Sequence, residues 1–351
     1  MNFKKKNILV INSINNVPSN RQYYLLSKQF CNVNCNVIHV TDTNFSDTNF
    51  LGTILYWKNK RFLPSLFFFL KIIFKYRCFN AVILNFSAIS YSFLFKFFSD
   101  ETIITYQSDF FPKGNFHRLK SSLKFLFCNK IITVSDYMKQ KIKNEFYFIK
   151  KKEIIVFKNS IDTQKYATFI DSNFNRSKDE FLHIKKVIFV GNLELHKGFD
   201  VLMNYFANNE ILNLQLTIVG NGSLVKSIPE NTNKIVYLGT LSHDAVLAEM
   251  SRNHFIIIPS RKEAFGQVAI EAMLMKTVPV IAKGTGASEI ITDKTGFGFN
   301  EINEAISFIK NCKWDDYEII SKNIASEIEN FDSQKWINDY MELLYFGQTK
   351  S

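Results

Sequence analysis

Pro259-Ser260-Arg261-Lys262-Glu263-Ala264-Phe265-Gly266-Gln267-Val268-Ala269-Ile270-Glu271-Ala272-Met273 follows directly on the apolar run Phe255-Ile256-Ile257-Ile258. The run reads as a buried strand that ends at Pro259, and the chain then turns through the region of Gly266 into a helix beginning near Gln267. Unpaired N–H groups and the helix dipole favour an anion at such a start, and a phosphate suits it. Glu263 precedes the helix and Glu271 lies one turn into it, so the two carboxylates reach different hydroxyls of one elongated ligand. Sugars and riboses present such hydroxyls.

Outward from this stretch, short Val/Ile-rich runs alternate with helical segments. They span Ile8 to Ile11, Asn36 to Val40, Ala81 to Leu84, Thr102 to Thr105, Lys130 to Val134 and Ile154 to Phe157. A second set spans Val187 to Val190, Leu214 to Val219, Lys234 to Leu238, Phe255 to Ile258 and Val278 to Ile281. Spacings of ten or more residues predict parallel sheets with helical crossovers, hence an α/β protein of two doubly wound domains. The boundary falls in the polar stretch Thr163 to Lys178. The last segment, Gln334 to Phe346, carries Trp336, Tyr340, Leu343 and Leu344 at helical spacing.

The 351 residues suffice for two domains, and 46% hydrophobic with 21% charged content describes a globular chain rather than a disordered one. Five scattered cysteines, Cys31, Cys35, Cys78, Cys128 and Cys312, give neither a disulfide framework nor a zinc site, so a reduced cytosolic compartment and no metal are expected. After Lys4-Lys5-Lys6 the run Ile8-Leu9-Val10-Ile11 is too short for a signal peptide and reads as the first strand. No stretch reaches the ~20 apolar residues of a membrane span. The net charge of +11 is concentrated in the first half: residues 1–162 hold 24 Lys+Arg against 9 Asp+Glu, whereas 163–351 hold 19 against 23. A half so charged attracts an anionic surface or ligand.

The motif Pro259 to Met273 resembles the signature of retaining glycosyltransferases of family 4 (glycosyl transferases group 1), and other segments extend the likeness in the family's order. These are Val187 to Asp200 with Gly191 and Lys197-Gly198, Leu216 to Gly222, Val236 to Gly239, and Val278 to Ile290. Asn159-Ser160-Ile161-Asp162 is similar to the family's Asn-Gly-Ile-Asp, with Ser160 in place of glycine. The resemblance implies the GT-B fold, two Rossmann-like domains facing across an interdomain cleft. It implies an acceptor-binding domain over 1–165, a nucleotide-sugar donor domain over 180–330, and a C-terminal helix, 331–351, crossing back to the first domain. The implied substrates are a nucleotide-diphosphate sugar, UDP-sugar favoured, and a glycan or lipid-linked acceptor, with no cofactor and no metal.

The same resemblance assigns roles. Lys197 faces the diphosphate, Glu263 the hydroxyls of the transferred sugar and Glu271 the ribose, while Phe265, Gly266, Gln267 and Val268 offer main-chain amides. Gly191 opens the phosphate turn, and Tyr237, Leu238 and Gly239 stand near the nucleobase or simply pack in the core. The family's arginine after this glycine is replaced by Asn192, which leaves Arg261 or Lys262 to supply the missing charge. On the acceptor side Gln107 stands where the family has a histidine, Asp109 is the remaining candidate base, and Ser19 lies in the loop after the first strand. A donor phosphate oxygen is the other candidate base. Asn192 and Gln107 also keep open a non-catalytic sugar-nucleotide-binding partner protein, and an epimerase of related fold is a further alternative. A glycosidase carboxylate pair does not explain the phosphate-binding features. Nucleic-acid binding has no supporting motif.

Lys58 to Arg77 sets Lys60, Arg61, Lys71, Lys75 and Arg77 among Leu, Phe and Ile. The plain reading is a buried crossover helix with basic ends. The sharper reading is an interfacial helix resting on an anionic membrane surface, placing the enzyme on the cytoplasmic face of the inner membrane.

Overall fold

The computed structural model describes residues 6–11, 18–33, 35–41, 47–57, 62–107, 109, 111, 113–149, 151–163, 166, 176–210, 212–229 and 234–346. The described chain divides into two compact units, one of residues up to Ser160 together with those from Ser333 onward, the other Ile161–Asp332.

Unit 1 is built on a seven-stranded parallel sheet of β1 (Asn7–Ile11), β2 (Asn36–Thr41), β3 (Thr53–Tyr56), β4 (Phe79–Leu84), β5 (Ser99–Tyr106), β6 (Lys130–Thr133) and β7 (Glu153–Val156), in the order β3-β2-β1-β4-β5-β6-β7. Val10, Val37, Val82, Ile103 and Ile131 are fully buried, as expected of strands covered on both faces. Helices Pro18–Asn32 and Ser333–Phe346 pack against each other, and Tyr23, Phe30, Trp336 and Tyr340 share one apolar cluster with Ile8, Ile83, Ile103 and Ile132. β3 is a short edge strand with no fully buried residue, so it leaves little periodic signal.

Unit 2 carries a six-stranded parallel sheet of β8 (Lys185–Val190), β9 (Leu214–Val219), β10 (Ile235–Tyr237), β11 (Phe255–Ile258), β12 (Val278–Ala282) and β13 (Phe297–Phe299), ordered β10-β9-β8-β11-β12-β13. The chain steps outward from β8 to β9 and β10, then returns to lay β11 on the other side of β8, where Phe255 pairs with Val187 and Ile256 with Ile188. That reversal is a topological switch point, where connections leave the strand ends in opposite directions. β13, three residues at the far edge, had no sequence signature.

Arg176 ties the opposite side of unit 2 together from within the stretch read as a domain boundary. Its Nε donates to Ser251 O (3.0 Å), Nη1 to Lys276 O (2.6 Å) and Tyr317 Oη (2.7 Å), and Nη2 to Met250 O (3.0 Å), Met275 O (3.0 Å) and Thr277 Oγ1 (2.7 Å). These carbonyls lie in or just beyond the last turns of helices His243–Arg252 and Gln267–Leu274, where a cation complements the dipoles. Replacing Arg176 by Met strips charged donors from several buried acceptors, each worth ~1–3 kcal/mol when left unpaired. The R176M chain is expected to lose at least about 3 kcal/mol of unit 2 stability. Urea unfolding followed by Trp314 fluorescence, in a Trp57→Phe, Trp336→Phe background, measures it.

Candidate functional site at the switch point of unit 2

The loops leaving β8 (Gly191–Gly198) and β11 (Pro259–Gly266) run side by side because their strands are neighbours. His196 O accepts from Arg261 N (2.9 Å) and Lys262 N (3.3 Å). Gly198 is left-handed, with φ of 68°, and a Cβ there would stand 1.9 Å from Pro259 O. Only glycine meets both conditions.

Across this seam the side chains of Lys197 and Glu263 meet, with Nζ to Oε2 at 2.5 Å, both about a quarter or less exposed. The backbone of Glu263 is held from its other side, where its carbonyl accepts from Gly286 N (2.8 Å) in the loop after β12. Gly266, with φ of 91°, starts helix Gln267–Leu274 without a side-chain cap, and a Cβ on it would lie 2.5 Å from Ala287 Cβ. Phe265 is buried, whereas Gln267 and Val268 are half-buried at the first helical positions.

Glu271 lies on that helix at 6% exposure, with no hydrogen bond or ion pair to its carboxyl among the described residues. Burial pushes its pKa from an ordinary 4.5 up to about 7. A largely buried carboxyl with no partner among the described residues costs stability.

Arg261 is committed elsewhere. Its guanidinium grips Asp200 with two bonds, Nη1 to Oδ1 at 2.6 Å and Nη2 to Oδ2 at 2.8 Å, and donates to Leu195 O. Lys262 is exposed, and its ammonium has no partner among the described residues. Gly191 (φ 151°) and exposed Asn192 begin the β8 loop, and a Cβ on neighbouring Gly220 would strike Gly191 O at 1.9 Å. Sequence reasoning missed Glu194, which bridges to the next loop by accepting from Ser223 N (2.8 Å) and Ser223 Oγ (2.6 Å). Nor did it find Asp200, 61 positions from its arginine. Tyr237 is 39% exposed and donates its hydroxyl to Gly220 O (3.1 Å), while Leu238 is half-buried, with its N–H on Ile218 O.

The remaining sequence candidates belong to unit 1. Gln107, just past β5, donates Nε2 to Tyr23 Oη at 3.1 Å. Asp109 is pinned by Lys141 (2.8 Å to Oδ1) and by the Tyr137 hydroxyl (3.3 Å to Oδ2). Ser19 falls in helix Pro18–Asn32, but its side chain and residues 15–17 lie outside the described residues, as do Lys60 and Arg61.

This geometry coincides with a sequence match. Residues 171–314, which lie within unit 2, match the family Glycosyl transferases group 1. The chain is 28% identical over 170 residues to an uncharacterized glycosyltransferase of Methanocaldococcus jannaschii, covering 47% of this chain and 43% of the relative. It is 28% identical over 207 residues to an uncharacterized 41.2 kDa protein in the cps region of Klebsiella pneumoniae, covering 56% of each. The chain thus spans about half the length of the curated relatives it matches. Among solved structures, sucrose-phosphate synthase of Thermosynechococcus elongatus superposes with TM-score 0.76 at 16% identity, over 99% of this chain and 100% of that one. HepE of Anabaena in complex with UDP-glucose superposes with TM-score 0.72 at 17% identity, over 97% and 99%. The fold is GT-B-like, two Rossmann-like parallel sheets with helices.

The raised carboxyl pKa makes a signed prediction. The folded state holds the Glu271 proton up to about pH 7 while the unfolded chain loses it near 4.5, so the wild type loses stability as pH rises through that window. Glu271→Gln is therefore expected to match wild type near pH 4. Above pH 7 it should exceed wild type by up to ~3 kcal/mol, as urea unfolding across pH would record.

Proposed function

We propose that the protein is a retaining, metal-independent glycosyltransferase that moves a hexose from a nucleotide-diphosphate sugar, UDP-sugar favoured, to a cell-surface glycan or lipid-linked acceptor of the lipopolysaccharide, O-antigen or capsule kind. One observation carries the reading: a cation and a carboxylate, Lys197 and Glu263, meet across the switch point beside an uncapped helix start and a buried carboxyl. The UDP-glucose held by HepE and the cps-region origin of the Klebsiella relative support the choice of donor and acceptor class.

The chemistry follows from charge. As the glycosidic bond breaks, negative charge builds on the diphosphate, and cations with aligned N–H donors stabilise it. Donor binding exchanges one ion pair for two contacts: Lys197 turns to the diphosphate, and Glu263 turns to the sugar hydroxyls. Glu271, buried and without a partner among the described residues, accepts from the ribose. Arg261 is neutralised by Asp200, so the second cation toward the diphosphate, in the absence of an arginine at Asn192, is Lys262. Asp109 is occupied by Lys141 and Tyr137, and Gln107 takes up no proton. The acceptor's proton therefore passes to the departing phosphate oxygen, in a same-face attack.

Asn192 and Gln107, which replace the family's arginine and histidine, favour a second reading, a non-catalytic sugar-nucleotide binder. Donor turnover separates the two. A panel of nucleotide sugars is expected to raise the Tm for one nucleotide class, and the matching donor is hydrolysed slowly or transferred. Glu263→Ala and Lys197→Ala should each lower turnover by about 10²-fold or more, the scale of losing one transition-state contact. Lys262→Ala should lower it by about tenfold, and Arg261→Ala should act through stability instead. A donor that stabilises wild type without turnover contradicts the enzyme reading.

A further inference from the structure

Unit 1 holds an exposed apolar layer that the site in unit 2 does not use. The strand order carries the chain from β3 to β4, β5, β6 and β7 in one direction, and right-handed crossovers place the connecting helices on the same face of the sheet. Helix Phe62–Tyr76 opens this layer, segment Phe86–Phe95 continues it, and helix Asn115–Lys124 follows. Their inner sides interlock: the Phe69 ring lies 4.8 Å from that of Tyr91 and 5.6 Å from that of Phe95, Phe93 lies 6.3 Å from Phe127, and Ser92 Oγ donates to Lys124 O at 2.8 Å.

The outer sides are aromatic as well. Phe67 is 63% exposed and Phe74 77%, one on either side of Lys71 at helical spacing; Phe97 is 78% exposed. Phe116 is 74% exposed and heads a row with exposed Leu119 and Leu123 at the spacing of one helix face. Basic residues dominate these three segments: from Thr48 to Ser99, and again from Phe110 to Ser135, the sequence contains no Asp or Glu but carries Lys71, Lys75, Arg77, Lys96, Lys120 and Lys124 among its basic residues. Exposed Asp100 borders the first stretch, and the next crossover helix, Asp136–Glu145, brings back both signs. Neighbouring carboxylates are largely spoken for, Glu145 by Arg118 at 2.8 Å and Glu101 by Lys130 at 2.8 Å.

We propose that this helical layer of unit 1 docks on an anionic lipid bilayer, with Phe67, Phe74, Phe97 and Phe116 entering the headgroup region and the lysines between them pairing with lipid phosphates. Charge complementarity selects this occupant: exposed aromatic anchors on segments where cations far outnumber carboxylates suit an anionic bilayer surface. The proposal deepens the lipid-linked acceptor reading above by naming the face that meets the membrane, and it rests on no donor chemistry.

Flotation with phosphatidylcholine vesicles, with and without phosphatidylglycerol, tests it on the full chain. Wild type is expected to float with the phosphatidylglycerol vesicles, to weaken at high salt through screening, and to leave phosphatidylcholine vesicles largely unbound. The Phe67→Ser, Phe74→Ser, Phe116→Ser variant should retain the wild-type urea midpoint, since these side chains are exposed, and lose binding by about tenfold or more. A second variant, Lys71→Gln with Lys75→Gln and Lys120→Gln, should lose it at low salt by a similar factor. Absence of wild-type flotation overturns the proposal, as does undiminished binding by both variants. A dimer in sedimentation that the Phe variant dissolves also overturns it, by assigning the face to a second copy. Donor-induced stabilisation is read separately, so failure of the membrane proposal and failure of the transferase reading are distinguishable.

Discussion

The backbone contact between Gly198 and Pro259 is the constraint on which the candidate site depends. Parallel strands deliver their connections to one sheet edge, and reversal of strand order between β8 and β11 leaves two loops departing from adjacent strands. They approach so closely that any Cβ on residue 198 would overlap the Pro259 carbonyl. Given that approach, His196 O can hold two N–H groups of the second loop, and Lys197 reaches Glu263. An ion pair between residues 66 positions apart is thus fixed by main-chain geometry, with little left to side-chain search.

Charge around that seam is arranged in neutral couples. Lys197 offsets Glu263 and Arg261 offsets Asp200, both at hydrogen-bonding distance. The couples differ in what an arriving anion can do to them. A bidentate guanidinium–carboxylate clasp that also donates to a carbonyl resists exchange, while a single ammonium contact yields more readily. Glu271 is the asymmetric member, a buried carboxyl with no cation to balance it among the described residues.

Much of the fold was legible because buried parallel strands must be apolar along their length, and that leaves a mark in any single sequence. β3 and β13, edge strands of four and three residues, escaped, although β10, an edge strand as short and as exposed, was marked by its run Ile235-Val236-Tyr237-Leu238. The stretch around Glu263 and Glu271 was legible as strand, turn and helix. What it touches was not, since Asp200 and Arg261, or Glu194 and Ser223, become neighbours only through the order of the strands. Arg176 was lost for a different reason. Its surroundings are polar and lack periodicity, and a single buried guanidinium gives no pattern at all.

The helix Ser333–Phe346 contributes Trp336 and Tyr340 to the apolar cluster of unit 1, alongside Tyr23 and Phe30. Unit 2 is therefore spliced into unit 1, entering at Ile161 and leaving at Asp332, two residues that bridge to each other. During synthesis the inserted unit has all its strands before the host unit has all of its core. The amino-terminal sheet must wait, with one face incompletely covered, until the ribosome has delivered the closing helix. Holding factors would bind the nascent host unit during that interval, and a truncation that removes only the residues from Ser333 onward would harm the first-made part of the chain more than the part beside the cut.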